Sequence, residues 1–204
     1  MILGAINTGG CLSSLIPEPT AANHVYRLSD DLNGSNTAEV KPYERVLTVR
    51  IDRPNAPKAL QGSNLIVAKA NSELVIIDQA EWADNLPTLI QRSFLSELNS
   101  RSDITGLLPT SGARTEYRAH ITVRNFEARF DRGEAEAPLI VVDYLVTLSD
   151  AGTRKLIGTQ SFHTENRATS NRVSDIVKAK SSSNRSNLEQ ISNWISAMLS
   201  RQGA

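Results

Sequence analysis

The residue types that carry most protein chemistry are sparse in this chain. Cys11 is the only cysteine among 204 residues, so no disulfide can form within the chain. It lies in the stretch NTGGCLSSLIPEPT, with two glycines before the thiol and two prolines soon after it. A cysteine in this setting could be a core residue, a reactive thiol or a point of covalent attachment.

The histidines and short motifs do not indicate a catalytic or metal site. His24, His120 and His163 are far apart, and each lies in a predicted strand beside Arg, Thr or Tyr. None has a second histidine, a cysteine or a carboxylate at metal-ligand spacing on the same element, so we expect no metal. The sequence also lacks a glycine-rich phosphate loop and a G-x-S-x-G nucleophile elbow. We therefore expect no cofactor.

Two pairs of acidic residues could in principle perform acid and base catalysis. They are Asp30 with Asp31 and Glu134 with Glu136, and both pairs lie in polar, loop-like segments. Solvated turns explain such pairs more simply than catalysis does. We therefore predict no catalytic residues, and the protein is expected not to be an enzyme.

Composition is that of an ordinary globular domain. Hydrophobic residues make up 40% of the chain and charged residues 22%, with 22 basic and 22 acidic side chains. This length suffices for one substantial core, so we expect a single domain after an N-terminal tether. The balanced charge argues against a nucleic-acid partner. No apolar run approaches the roughly 20 residues that span a bilayer.

Strand patterns dominate the chain. HVYRLS and RVLTVRID predict two strands, and NLIVAKANSELVIID predicts two more, joined by a turn at Asn71 and Ser72. In YRAHITVRNFEARF the apolar phase changes near Arg124 and Asn125, which predicts a β-bulge. PLIVVDYLVTLSDAGTRKLIGTQSF predicts a long antiparallel hairpin.

Two amphipathic helices are predicted. The first falls within DQAEWADNLPTLIQRSFLSELNS, where Asp78 and Glu81 have the spacing of a capping box. Pro87 predicts a break, with the main helix beginning near Asn85. The second has a stripe from Val173 to Leu199 that is apolar at both ends and polar in the middle. It predicts either one long helix or two helices that meet at that polar stretch.

The order of these elements predicts the fold class. Strands, a helix, further strands and a final helix favour an α/β fold of the α+β type. We expect a mainly antiparallel sheet with the two amphipathic helices packed on one face.

Several stretches occur in an order that allows a comparison with a known family. They are GGC, VYRLS, VLTVRIDRP, ALQGSNLIVAKANSELVIID, AEWADNLPTLIQRSFLSEL, YRAHITVRNFEARF, RKLIGTQSF and a final helix that contains ISNWI. The most specific block is W-A-D-x-L-P, from Trp82 to Pro87. In this order the stretches resemble the ABC-type transport auxiliary lipoprotein family, over about residues 11–200.

The resemblance implies a function beside a transporter. Members of this family are periplasmic lipoproteins that accompany an MCE-domain protein with an ABC permease and ATPase. Such systems move phospholipids or other hydrophobic molecules between the inner and outer membranes of the Gram-negative cell envelope. The resemblance carries no catalytic residue and no cofactor. Cys11 matches the lipid-bearing cysteine, so we expect lipidation of Cys11 and a membrane anchor, with the outer membrane favoured over the inner one.

The resemblance also predicts the domain organisation. Residues 1–22 would be a signal remnant and lipoprotein tether, and residues 23–204 a single periplasmic auxiliary domain. Only ten residues precede Cys11, without Lys or Arg, and Thr8 stands where an aliphatic residue is usual. Three explanations are open: the start codon is placed too late, the segment was altered for expression, or this copy is not lipidated. We favour the first two, under which the segment is a signal remnant.

Three functions stay open at this point. The protein could be an accessory that docks onto the transporter or onto itself as a homo-oligomer, without binding a small molecule tightly. It could instead be a shuttle that holds lipid acyl chains between helices and sheet, or an outer-membrane assembly lipoprotein unrelated to MCE transport. A large helix–sheet cavity would favour the shuttle, whereas a closed core with an exposed apolar or basic patch would favour docking.

Overall fold

Residues 23–28 and 46–202 are described by a computed structural model of the chain. In these ranges a mixed α/β fold contains eight strands and two α-helices. The strands are β1 (His24–Tyr26), β2 (Leu47–Ile51), β3 (Asn64–Lys69), β4 (Leu74–Trp82), β5 (Ile104–Leu107), β6 (Tyr117–Phe130), β7 (Leu139–Asp150) and β8 (Leu156–Arg167). The helices are α1 (Leu86–Asn99) and α2 (Val173–Ser200). Neither helix is long and apolar enough to cross a membrane.

The sheet is mixed, so the prediction of a mainly antiparallel sheet is wrong. Parallel pairs are β1 with β4, β2 with β5, β2 with β6, and β3 with β6. Antiparallel pairs are β3 with β4, β6 with β7, and β7 with β8. Alternation of apolar residues is the same in both kinds of strand, so the period alone could not distinguish them. Parallel pairing requires a long connection, and the parallel neighbours β2 and β5, for example, are separated in the chain by β3, β4 and α1.

Strand β6 lies at the centre of the sheet. It pairs with one strand along one edge and with two different strands along the other. One edge pairs with β7 along almost the whole strand. On the other edge β2 pairs beside Tyr117–Ala119, and β3 pairs beside residues 128–130. The sheet therefore forks along β6 into one branch with β2 and β5 and another with β3, β4 and β1.

Several local predictions for the strands are confirmed. The register of β6 against β7 shifts between Val123 and Asn125, where the change of apolar phase predicted a bulge. Strands β7 and β8 form the predicted long hairpin. Ser72 has a left-handed φ of 67° in the predicted turn between β3 and β4.

The start of α1 corrects one prediction and confirms another. Asp78 and Glu81 do not form a capping box, because both lie in β4, which ends at Trp82. The helix has its N-cap at Asn85, close to the predicted start. Pro87 lies in the first turn, where its missing N–H costs no intrahelical hydrogen bond, so it begins the helix rather than breaking it.

Helix α2 is one continuous helix, and its polar middle is buried. Both helices contribute to one core, with Ile90 and Phe94 from α1 and Ile191 from α2 each fully buried. In the middle of α2, the hydroxyl of Tyr144 donates to Asn184 Oδ1 over 2.7 Å. The amide of Asn187 donates to the carbonyl of Val142 over 3.0 Å. These bonds to the sheet satisfy part of the buried polar stretch, whereas Ser181 Oγ and Asn187 Oδ1 are buried without a hydrogen-bond partner among the described residues.

Candidate functional site

The W-A-D-x-L-P block forms a tight corner between β4 and α1. Trp82 is buried as the last residue of β4, and its ring meets Phe126 edge-on with centroids 6.1 Å apart. Its backbone N–H donates to Ser63 over 2.7 Å, and that of Leu86 donates to Gly62 over 3.1 Å. The corner is therefore held on the segment that leads into β3.

Asn85 caps the helix and also receives a distant arginine. Its Oδ1 accepts the backbone N–H of Thr88 over 3.2 Å and the Thr88 hydroxyl over 2.7 Å. The same oxygen accepts a hydrogen bond of 2.7 Å from Nη2 of Arg53, which follows β2. In addition, the side-chain amide of Gln91 donates to the carbonyl of Ile51 over 3.0 Å. The end of β2 is thus pinned to the first two turns of α1.

Charged groups surround this helix start. Asp84 accepts the backbone N–H of Asn85 over 2.7 Å and forms an ion pair of 3.3 Å with Arg92. Arg53 is exposed, and the Arg92 side chain is 62% exposed. A carboxylate near a helix N-terminus is stabilised by the helix dipole. The corner therefore presents two guanidinium groups around one aspartate and one amide.

A groove of about 390 Å³ opens beside the corner, which we call the corner groove. Its walls are formed by Arg53, Pro54, Asn55, Ala56, Gln61 and Pro87. The side chain of Gln61 donates to the carbonyl of Ala56 over 3.0 Å, which braces the loop between them. Backbone bonds of Asn55 to Ile121 and Val123 fix the opposite wall on β6. The groove presents polar and apolar groups in about equal parts on loops that are fixed by hydrogen bonds, and binding residues are often found on loops of this kind.

A second groove of about 560 Å³ lies on the far side of the same loop. It is lined by residues on the segment 58–64, Ile66 of β3 and Leu74–Ile76 of β4. Leu74 is 50% exposed and Ile76 53% exposed. This groove is therefore apolar and open to solvent, in contrast to the corner groove.

The most unusual ionisable group is buried beneath the sheet fork. Lys180 of α2 is 1% exposed, and its Nζ donates to the carbonyls of Ile66 and Phe126 over 2.9 and 3.2 Å. The Nζ also lies 5.4 Å from the centroid of the Phe126 ring. Burial lowers the pKa of Lys180 to about 7, although Glu127 opposes this effect. Because solvent does not reach this amine, it serves the fold and not a surface site.

The residues singled out in the sequence have different outcomes. Cys11 lies outside the described residues, as do Asp30 and Asp31. His24, His120 and His163 lie in β1, β6 and β8, the strands predicted for them. Nδ1 of His120 is 3.9 Å from Asp52, and Nε2 of His163 is 3.3 Å from Glu165. In the part of the chain that the structure describes, no three His, Cys, Asp or Glu side chains lie close enough together to bind a metal ion.

Sequence reasoning missed the contact between Arg53 and Asn85 and the burial of Lys180. The blocks VLTVRIDRP and AEWADNLPTLIQRSFLSEL both stood out, yet neither indicates that the arginine of one bonds the asparagine of the other. A lysine within the apolar stripe of α2 was a visible signal. Its depth below the sheet could not be read from the stripe alone.

Comparisons with known proteins agree with this architecture. A crystal structure of a Xanthomonas campestris protein of the DUF330 family has a TM-score of 0.72 at 14% identity, covering 78% of this chain and 88% of that one. A crystal structure of an uncharacterized protein has a TM-score of 0.65 at 16% identity, covering 85% of this chain and 99% of that one. These likenesses concern the fold alone. A search of curated proteins finds no match.

The family comparison covers most of the sequence. The model of the ABC-type transport auxiliary lipoprotein component matches residues 26–192, a span that contains the corner, the corner groove and most of α2. It is also the family that the order of the sequence blocks indicated. The chain belongs to the ABC-type transport auxiliary lipoprotein component family.

Proposed function

We propose that this protein is a non-enzymatic periplasmic lipoprotein that docks onto an MCE-type ABC transporter through the corner groove. The transporter would move phospholipids or other hydrophobic molecules between the inner and outer membranes. In this proposal residues 1–22 are the signal remnant and tether, lipidated at Cys11, with the outer membrane favoured as the anchor site. Residues 23–204 form the auxiliary domain, and its partners are the MCE-domain protein, the permease and the ATPase.

The docking proposal rests on the residues that form the corner groove and on the contacts between them. Two sequence blocks that carry the family resemblance meet there through the 2.7 Å bond between Arg53 and Asn85. The groove is concave, and exposed side chains such as Arg53, Asn55 and Gln61 lie on its walls. A preorganised surface with both polar and apolar groups can recognise a protein partner with little loss of side-chain entropy.

The packing of α2 against the sheet favours docking over a lipid shuttle. A shuttle needs space for acyl chains between helix and sheet. Here the interface contains Tyr144, Lys180 and Asn187, which are all buried and hydrogen-bonded across it. The grooves at the corner and at the β3–β4 hairpin both lie outside this interface.

The docking proposal can be tested by photo-crosslinking in cells that carry the full transport system. A photoreactive amino acid at Gln61, an exposed residue of the groove, should give an adduct with the MCE-domain protein or the permease. The control position is Leu156, which is 59% exposed at the start of β8. Equal adducts from both positions, or none from Gln61 while the transporter co-purifies, would contradict the proposal.

The anchor and the shuttle alternative need separate measurements. Labelling with a palmitate analogue should mark the wild-type protein and leave the Cys11→Ser variant unmarked. Absence of label from the wild-type protein would remove the lipoprotein assignment for this chain. Native mass spectrometry of protein purified from membranes should show no stoichiometric phospholipid besides the anchor, and a bound lipid would instead support the shuttle.

A further inference from the structure

Two arginines lie directly opposite each other on the solvent face of the sheet. Arg50 of β2 and Arg118 of β6 are partners in the parallel ladder between these strands. Their neighbours in the sequence, Ile51 and Ala119, are fully buried in the core, so the two arginine side chains point to the opposite face. These side chains are 37% and 46% exposed. Like charges at directly opposite positions destabilise a sheet, so the pair is not explained by strand pairing alone.

Asp52 holds the two arginines together. Its side chain is 11% exposed, and its carboxylate lies 3.3 Å from Nε of Arg50 and accepts a hydrogen bond from Nε of Arg118. Nδ1 of His120 lies 3.9 Å from the same carboxylate, and we call these four residues the arginine cluster. Two positive charges and one negative charge leave the cluster a net charge of +1 when His120 is neutral. An ion pair that only joined β2 to β6 would need a single arginine.

The neighbouring strands do not supply a second negative charge. Arg50 is level with Leu107 on β5, and Arg118 is level with Ser149 on β7, so both flanking positions are neutral. Within the described residues, Asp52 is the only carboxylate at ion-pair distance from either arginine. The excess positive charge of the arginine cluster therefore faces solvent.

The hydrogen-bond donors of the two arginines are also incompletely used. Nε of Arg118 donates to Asp52, whereas Nε of Arg50 is buried without a hydrogen bond to any described residue. The Nη atoms of both arginines likewise make no hydrogen bond to the described part of the chain. A guanidinium group can bind an oxyanion through two parallel N–H donors, as a fork. The arginine cluster therefore presents two such forks side by side.

Two forks at adjacent positions fit a phosphate group better than a carboxylate. The oxygens of a carboxylate lie in one plane, and a single arginine fork is sufficient to bind them. A phosphate group is tetrahedral and offers oxygens to more than one arginine at once, so clustered arginines are well suited to it. We propose that Arg50 and Arg118, positioned by Asp52, bind a phosphate group on the solvent face of the sheet.

Free phosphate, a soluble phosphate ester and the headgroup of a phospholipid share this chemistry. Attraction by charge alone does not hold a protein on a membrane with so few basic residues, so a headgroup would have to be bound by the arginine forks themselves. The site is separate from the corner groove, whose walls contain no residue of the arginine cluster. Phosphate binding here therefore does not depend on docking to a transporter.

Nuclear magnetic resonance of the arginine Nε–H groups tests the site in the full-length Cys11→Ser protein. Titration with inorganic phosphate at constant ionic strength should shift the signals of Arg50 and Arg118 until they saturate. Arg124 is the internal reference, because it is exposed on the same strand as Arg118 and donates to Ser161 over 3.1 Å. Its signal should show no saturable shift. Acetate at the same concentrations should shift the signals of the cluster much less than phosphate does.

Substitutions separate phosphate binding from folding. Arg118→Gln leaves the ion pair between Arg50 and Asp52 in place, and it should weaken phosphate binding about tenfold or more. The matched control Arg124→Gln should leave the binding unchanged. At one ionic strength, phosphate should raise the thermal unfolding temperature of Arg124→Gln but not that of Arg118→Gln, because a ligand of the folded state stabilises it.

Vesicles of phosphatidylglycerol identify the source of the phosphate group. Co-sedimentation that inorganic phosphate inhibits and Arg118→Gln abolishes would assign the site to a lipid headgroup. Saturable phosphate binding without co-sedimentation would assign it to soluble phosphate. The proposal is overturned by the absence of a saturable shift at Arg50 and Arg118, or by undiminished phosphate binding in Arg118→Gln. An acetate effect equal to that of phosphate would also overturn it, since the ligand would then be a carboxylate of a protein partner.

Discussion

The Nζ of Lys180 donates a hydrogen bond of 2.9 Å to the backbone carbonyl of Ile66, which is 114 positions away in the sequence. A second bond of 3.2 Å goes to the carbonyl of Phe126. Pairing between β3 and β6 begins just beyond these residues, at Val67 and Ala128. The amine therefore joins α2 to both strands at the fork of the sheet. An uncharged amine has two hydrogens, which are sufficient for the two carbonyls.

Lys180 should make the stability of the protein depend on pH. Its folded-state pKa of about 7 lies below the value of about 10.4 expected in the unfolded chain. Between these values the unfolded state binds a proton that the folded state lacks, so the free energy of unfolding rises with pH. The slope from this group is at most about 1.4 kcal/mol per pH unit, and it is lost below pH 7.

Urea unfolding at several pH values between 7 and 9.5 measures this slope. The Lys180→Met variant should lack the slope, because methionine does not titrate. Lys178→Met is the matched control, since Lys178 is exposed on the same helix and should leave the slope unchanged. Equal slopes in wild type and Lys180→Met would show that the buried amine remains protonated above pH 7.

Asn85 should contribute to stability through its side-chain oxygen. Asn85→Ala removes the acceptor for Thr88 and for Arg53 together, and loss of an N-cap costs about 1 kcal/mol, with a range of 0.5–2. Asn85→Ser keeps a capping oxygen at this position, although it removes the side-chain amide that donates to Asp84 Oδ1 over 2.9 Å. Denaturant unfolding should therefore show a larger loss for alanine than for serine. Equal losses would mean that the amide contact with Asp84, and not the capping oxygen, is essential.

Glu97 and Glu189 should repel each other between α1 and α2. They line a polar groove of about 500 Å³ with Arg101 and Arg185. Burial raises the pKa of Glu97, and the charge of Glu189 raises it further, while the two arginines lower it. A raised carboxyl pKa means that the folded state binds its proton more tightly, so this group lowers stability as pH rises above about 4.5.

Glu189→Gln should relieve that repulsion. The pKa of Glu97, followed by the carboxyl carbon chemical shift, should fall toward its ordinary value. Stability at pH 7 should rise by only a few tenths of a kcal/mol, because Glu189 is exposed and solvent weakens its repulsion with the partly buried Glu97. In a Glu97→Gln background the same substitution should have no such effect, and a rise of equal size there would exclude the pairwise repulsion.

Local features of the fold could be predicted from the sequence because their causes lie within a few residues. The phase change at Arg124 and Asn125 requires a bulge, since side chains alternate between faces. The turn at Asn71 and Ser72 and the start of α1 near Asn85 depend on short polar side chains at adjacent positions. Asp78 and Glu81 show the limit of this approach. Their spacing fits a capping box, but the surrounding residues extend β4 through both of them.

Only part of the candidate site could be predicted from the sequence. The W-A-D-x-L-P block stood out by itself, and the structure places it at the corner groove. The role of Arg53 did not stand out, because its partner Asn85 is 32 residues away and approaches only when β2 and α1 pack together. The same holds for the exposed side chains of Leu74 and Ile76, whose orientation depends on how β3 and β4 pair.

Apart from β5, which no sequence pattern indicated, the strands, the two amphipathic helices and the family could be predicted from the sequence, because periodicity and the order of the blocks are local properties of the chain. Only the tertiary structure decided the parallel pairings, the fork along β6 and the burial of Lys180 between Ile66 and Phe126. Those features arise from contacts between residues far apart in the chain. An alternating strand pattern is compatible with either direction, and a lysine on a helix stripe is compatible with either solvent or core.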